Sequence, residues 1–68
     1  MKIKTAALRK ALGSRQAVAD FFKNKDGKNI DYQAVYQWGE FIPTIRAYEL
    51  RDADSRLFNE ILSGKYDQ

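Results

Sequence analysis

A chain of 68 residues with 12 basic and nine acidic side chains is one small domain with a net charge of +3. It contains neither cysteine nor histidine, which excludes disulfide bonds, thiolate metal sites and the usual general base. We therefore expect a single domain over residues 1–68 that is a binding module rather than an enzyme. It should need no metal or other cofactor and act on no small-molecule substrate.

The charge is unevenly divided along the chain. Residues 1–34 hold eight basic and three acidic side chains, a net of +5, whereas residues 35–68 hold four basic and six acidic ones, a net of −2. A basic half is typical of a protein that binds a polyanion, although lysines that only maintain solubility explain the same pattern. No apolar run approaches the roughly 18 residues of a membrane span. We expect a soluble, cytoplasmic protein with no membrane partner.

Helix signals recur in the first half of the chain. Thr5 is placed to cap a first helix over AALRKAL, and Gly13 is placed to end it. Ser14 is placed to cap a second helix over RQAVADFF. The side chains that share one apolar face of this second helix are Ala17, Val18, Phe21 and Phe22.

A polar stretch separates the second helix from the third. KNKDGKN has no apolar residue, and its Asp26-Gly27 pair indicates a turn. Ile30 restores an apolar residue, and Asp31 is a suitable N-cap for a third helix over YQAVYQW. Gly39 or the residue after it should end this helix.

Two more helical segments complete an all-α bundle of about five helices. Pro43 fits the first position of a fourth helix, with Ile45, Ala47 and Tyr48 on its apolar face. The segment RLFNEIL carries a helical stripe and is followed by Gly64, but it is also short enough to be a strand. Its apolar residues are Leu57, Phe58, Ile61 and Leu62. The aromatic and aliphatic residues expected in the core are Phe21, Phe22, Trp38 and Ile45.

Short helices in a small basic chain favour a helix-turn-helix, here over residues 15–38. The motif needs a small residue where its two helices cross, and Ala19 is in that position. It also needs inward apolar residues, which Val18 and Val35 supply. Trp38 lies three residues after Val35 and should face the core with it.

The opposite side of the third helix is uncharged. With Val35 and Trp38 inward, the outward residues are Tyr32, Gln33, Tyr36 and Gln37. A merely solvated surface would be expected to carry Lys and Glu instead. Glutamine can bond N7 and N6 of adenine, and tyrosine offers a hydroxyl and an apolar ring, so these four are candidates for reading DNA bases.

The segments GSRQAVADFF, AVYQWGEFIP and RAYEL resemble the Cro repressors of lambdoid phages and prophages, which have the lambda-repressor-like DNA-binding fold. The resemblance covers roughly residues 5–52. It implies a homodimer that binds a pseudo-palindromic operator in double-stranded DNA and represses transcription. Base reading is then expected of Tyr32, Gln33, Tyr36 and Gln37. Contacts that fix the register on the DNA backbone are expected of Ser14, Arg15 and Gln16.

The connection between the two helices departs from this family. A turn of about three or four residues is usual, whereas residues 23–30 intervene here. Either the second helix gains another turn or a loop bulges out. Lys25 and Lys28 on this stretch are candidate contacts to the DNA backbone, and a solvated loop with lysines for solubility is the alternative.

The C-terminal half leaves several assignments open. The stripe formed by Leu57, Phe58, Ile61 and Leu62 completes the core, forms the dimer interface in a tail over 55–68, or does both. Phe58 and Leu62 are our candidates for contact between subunits. Arg46 and Arg51 either approach phosphates or pair with nearby carboxylates on the same helix.

Two other functions fit the same sequence. One is an antitoxin or other autoregulator that uses the same motif and binds a protein partner through the 55–68 tail. The other is a helical protein–protein adaptor that does not bind DNA. A steep fall of duplex affinity with salt separates DNA binding from the adaptor.

Overall fold

The computed structural model describes residues 2–24 and 26–66. Five α-helices follow one another: α1 (Thr5–Leu12), α2 (Arg15–Phe21), α3 (Tyr32–Gln37), α4 (Thr44–Ala53) and α5 (Ser55–Leu62). Within the described residues, β pairing is limited to two isolated bridges, Lys4 with Phe41 and Lys23 with Asn29. The predicted all-α bundle of five helices is confirmed, and residues 55–62 form a helix rather than a strand.

Three of the helices begin at a capping side chain. Ser14, Asp31 and Asp54 precede α2, α3 and α5, and their side-chain oxygens accept hydrogen bonds from first-turn backbone N–H groups at 3.1, 3.0 and 3.1 Å. These N–H groups have no partner inside their own helix. The capping roles predicted for Ser14 and Asp31 are confirmed.

The predicted starts of the other two helices are each wrong by one residue. Helix α1 begins at Thr5 and follows Lys4, which has extended backbone, because this segment pairs with the chain before α4. The Thr5 N–H donates to the Glu40 carbonyl and the Ile42 N–H donates to the Ile3 carbonyl, both at 2.9 Å. Pro43 has a ψ of 149°, which is outside the helical range, so α4 begins after it rather than at it.

A single apolar core joins the five helices. Helix α2 packs against α1 and α3, and α5 packs against α1 and α4. Val18, Ala19 and Val35 are buried, as the sequence predicts. Phe21 and Trp38 are partly buried against this core. The buried apolar residues are Ile3, Ala7, Leu8, Val18, Ala19, Phe22, Ile30, Val35, Ile42, Ala47, Leu50, Phe58 and Ile61.

The prediction that Ile45 lies in the core is wrong. Its side chain is 68% exposed, and Tyr48 is exposed as well, whereas Ala47 and Leu50 are buried. Helix α4 thus carries two apolar stripes, each with residues three positions apart, and both have helical spacing. The position of α5 decides which stripe is buried, and the sequence of α4 alone does not contain that information.

No helix within the described residues is long and apolar enough to cross a membrane.

Candidate nucleic-acid interface

Helix α3 separates a buried side from an exposed one. Val35 is buried and Trp38 packs against the core. The Trp38 ring meets the Phe22 ring edge to face, with centroids 5.7 Å apart. These contacts on the buried side of α3 fix the orientation of the helix. The side chains left exposed on the other side are the four predicted to read bases: Tyr32, Gln33, Tyr36 and Gln37.

Arg15, Tyr36 and Tyr32 form a row of planar groups across α2 and α3, which we call the stacked row. The Arg15 guanidinium carbon lies 4.0 Å from the centroid of the Tyr36 ring, within the range of a cation–π contact. The Tyr36 and Tyr32 rings meet edge to face with centroids 6.0 Å apart. The predicted backbone contact Arg15 is therefore in direct contact with the predicted reading face.

The other predicted backbone contacts on α2 lie beside Arg15 and are exposed. The Ser14 hydroxyl oxygen accepts the capping hydrogen bond from the Ala17 N–H, and its O–H is still able to donate. Gln16 Nε2 donates to Asp20 Oδ1 at 2.9 Å, which uses only part of its hydrogen-bonding capacity. The start of α2 thus presents neutral donors on either side of one cation.

The connection between α2 and α3 is a loop, because α2 ends at Phe21. The alternative in which the second helix gains another turn is therefore wrong. Asn24 Oδ1 accepts hydrogen bonds from the backbone N–H groups of Asp26 and Lys28, at 3.0 and 3.2 Å. Gly27 has a φ of +80° and donates its N–H to the Asn24 carbonyl at 3.0 Å. Lys28 is exposed on this loop. Lys25 lies outside the described residues.

Side chains from two helices hold the loop in place. Asn29 Nδ2 donates to Asp20 Oδ1 on α2 at 3.3 Å. Arg46 Nη1, on α4, donates to the Lys23 carbonyl at 2.9 Å and pairs with Glu49 Oε1 at 2.7 Å. The loop is therefore attached to α2 and α4 through side-chain hydrogen bonds, which local sequence patterns did not indicate.

Both arginines of α4 form the carboxylate pairs that the sequence left open. Arg46 pairs with Glu49, as described above, and Arg51 Nε lies 3.9 Å from Asp52 Oδ1. The Asp52 side chain is exposed, so the second pair is weak.

A cleft opens where α1, α2 and α3 meet, on the side of the stacked row. Its volume is about 170 Å³. Arg15 and Tyr36 line it together with Arg9 of α1, a residue that no sequence motif indicates as a contact. The sequence places Arg9 in the basic half but does not single it out. Its nearness to Arg15 depends on how α1 packs against α2, and local sequence patterns do not contain that information. The remaining lining residues are Thr5, Ala6, Val35 and Gly39.

The apolar stripe of α5 is divided between core and surface. Phe58 and Ile61 are 6% and 4% exposed and lie in the core of the chain, and Leu57 is partly buried against it. Leu62 is 49% exposed. Two residues were predicted to make the contact between subunits. Leu62 is exposed and therefore available for it, whereas Phe58 is buried in the core of its own chain.

Comparison with models of known protein families, with curated proteins and with solved structures finds no match to this chain.

Proposed function

We propose that this protein is a sequence-specific transcriptional repressor of the Cro type, which binds double-stranded DNA through a helix-turn-helix formed by α2 and α3. One observation carries the proposal. Helix α3 is fixed in the core through Val35 and Trp38, and its other side exposes two tyrosines and two glutamines without a single charge.

The chemistry of this exposed face suits base edges in the major groove. The amides of Gln33 and Gln37 can pair bidentately with adenine, and the rings of Tyr32 and Tyr36 can contact a thymine methyl group or a sugar. Lys or Glu would be attracted or repelled by phosphates on any sequence, whereas neutral donors and acceptors distinguish one base pair from another. The six residues of α3 span about 9 Å along the helix axis, which is within the width of the major groove.

Contacts to the DNA backbone would come from the start of α2 and from the loop. Arg15 supplies charge and Ser14 and Gln16 supply hydrogen-bond donors. Lys28 is exposed on the loop that leads into α3, and its backbone N–H is held by Asn24, so its ammonium would add a further phosphate contact. These contacts give salt-dependent affinity for any duplex, and α3 gives selectivity.

A dimer would place two copies of α3 in successive major grooves. That arrangement needs the two recognition helices about 34 Å apart on a pseudo-palindromic site. Protomers that measure 32 × 21 × 18 Å are of a suitable size for this spacing. The contact between subunits would draw on exposed apolar side chains, of which Leu62 on α5 is one.

Selection of bound duplexes from a random pool tests the proposal directly. We expect a pseudo-palindromic consensus, and an affinity for it that falls steeply as salt rises, because bound phosphates release counterions. A duplex of the same length and unrelated sequence is the control. The protein should bind it more weakly, with a similar dependence on salt. Failure to enrich any sequence, with flat or absent binding to all duplexes, would reject the repressor and favour a protein–protein adaptor.

A further inference from the structure

Arg9 and Arg15 differ from the other arginines of this chain in what surrounds them. Within residues 2–24 and 26–66, each of the three arginines of the second half lies within 4.0 Å of a carboxylate: Arg46, Arg51 and Arg56. In the same described residues neither Arg9 nor Arg15 has such a partner, and no acidic residue lines the cleft that they share. Within the described residues, the two arginines of this cleft therefore lack the close carboxylate partner that each arginine of the second half has.

The two arginine side chains that line the cleft are also more restricted than the exposed lysines of this chain. Arg9 and Arg15 are both partly buried, so their side chains have less freedom than those of a solvated surface. The Arg15 guanidinium also lies against the Tyr36 ring, and this contact further restricts the side chain. Guanidinium groups present several N–H donors in a planar array that matches the oxygens of a phosphate.

Tyr36 joins the cleft to the reading face of α3. It lines the cleft on one side and belongs to the stacked row with Tyr32 on the other. A duplex whose bases lie against Tyr32 and Tyr36 would bring its sugar-phosphate backbone past the opening of the cleft. The cleft therefore lies directly beside the surface proposed to read bases.

We propose that the cleft between α1, α2 and α3 binds a phosphate group, and that Arg9 is a phosphate-binding residue of this site together with Arg15. The inference rests on the DNA-binding function proposed above, and it identifies the phosphate as one in the DNA backbone. A free phosphate anion has the same chemistry and is the other source to be distinguished.

The test compares Arg9→Ala with Lys10→Ala. Both variants remove one positive charge from α1, but Lys10 is exposed and does not line the cleft. For the selected duplex and an unrelated one, we expect Arg9→Ala to weaken binding about tenfold at 0.1 M salt, and to reduce the slope of log affinity against log salt by about 0.9. Lys10→Ala should leave the slope unchanged, and Arg9→Lys should restore most of it because the charge is retained. Circular dichroism melts confirm that each variant is folded.

Equal effects of Arg9→Ala and Lys10→Ala on the slope would overturn the phosphate site while leaving the repressor proposal intact. If the wild-type protein binds no duplex, the repressor proposal fails, and the site is judged with inorganic phosphate. Saturable shifts of the Thr5, Ala6 and Gly39 amide signals in NMR spectra, absent in Arg9→Ala, would then support a site for free phosphate. Unchanged signals in the wild-type protein would reject the site altogether.

Discussion

Arg46 Nη1 donates a hydrogen bond to the Lys23 carbonyl oxygen at 2.9 Å, and the two residues are 23 positions apart in the chain. The same nitrogen lies 2.7 Å from Glu49 Oε1, and the guanidinium carbon lies 5.7 Å from the centroid of the Phe22 ring. One partly buried side chain thus connects α4 to the end of α2 and to the loop that leads into α3. This contact therefore helps to hold the loop that leads into the proposed recognition helix.

Replacing Arg46 by methionine should lower the free energy of unfolding by about 1–3 kcal/mol, because the Lys23 carbonyl and the Glu49 carboxylate lose a charged donor. Hydrogen exchange at the amides of Asn24 and Gly27 should become faster as the loop loosens. Urea unfolding and NMR-detected exchange measure the two effects. Arg51→Met is the matched control and should cost less than about 1 kcal/mol, since its pair with Asp52 is long and exposed and its contact with the Tyr48 ring is exposed as well. Equal losses in both variants would show that Arg46 does not hold the loop.

Gly27 is required by the backbone of the loop rather than by a lack of space. Its φ is +80°, and a Cβ added there would meet nothing within 4 Å. Gly27→Ala should therefore destabilise the protein by about 1–2 kcal/mol through backbone strain alone. Asparagine tolerates this conformation better, so Gly27→Asn should cost clearly less. Chemical unfolding of both variants checks the prediction, and an equal cost for alanine and asparagine would contradict it.

The features that the sequence predicts well are those set by neighbouring residues. Ser14 and Asp31 cap their helices because their side chains reach backbone N–H groups two or three positions ahead. Such a contact depends only on residues that are close in sequence. The buried side of α3 follows from the helical spacing of Val35 and Trp38 in the same way. Residues close in sequence therefore sufficed to predict where α3 begins and which of its side chains are exposed.

The features that the sequence did not predict depend on residues far apart. The attachment of the loop to Arg46 and the nearness of Arg9 to Arg15 both arise when separate helices pack together. The burial of Leu50 in place of Ile45 also depends on the neighbouring helix. Periodicity states that a helix has an apolar side, but it does not select between two such sides.

The two apolar stripes of α4 should differ sharply in their effect on stability. Leu50 is fully buried, so Leu50→Ala should cost about 2–5 kcal/mol through lost burial and the cavity left behind. Ile45→Ala, on the exposed stripe of the same helix, should change stability by less than about 0.5 kcal/mol. Thermal and urea unfolding give both values. A cost for Ile45→Ala as large as that for Leu50→Ala would show that Ile45 is covered in solution.

The contact between Arg15 and Tyr36 should be measurable as a coupling. In a double-mutant cycle with Arg15→Ala and Tyr36→Leu, we expect a coupling of about 0.5–1 kcal/mol in the free energy of unfolding, since the cation–π contact is exposed. Arg15→Ala with Tyr48→Leu is the control cycle. Tyr48 contacts Arg51 instead, so these two effects should add. Additive behaviour in the first cycle would mean that the two side chains do not interact in solution.

Gln33 should act on sequence selectivity and Lys28 on general affinity. Gln33→Ala should reduce the free energy of binding to the selected duplex by about 1–3 kcal/mol, because the bidentate contact to adenine is lost. It should also relax the preference for one base pair at that position. Lys28→Ala should weaken all duplexes alike and lower the salt slope by about 1, because an ammonium bound to phosphate reads no base. Titration of each variant against a panel of single-base-pair substitutions separates the two patterns. If Gln33→Ala and Gln37→Ala both left affinity and base preference unchanged, the exposed side of α3 would not be the reading face.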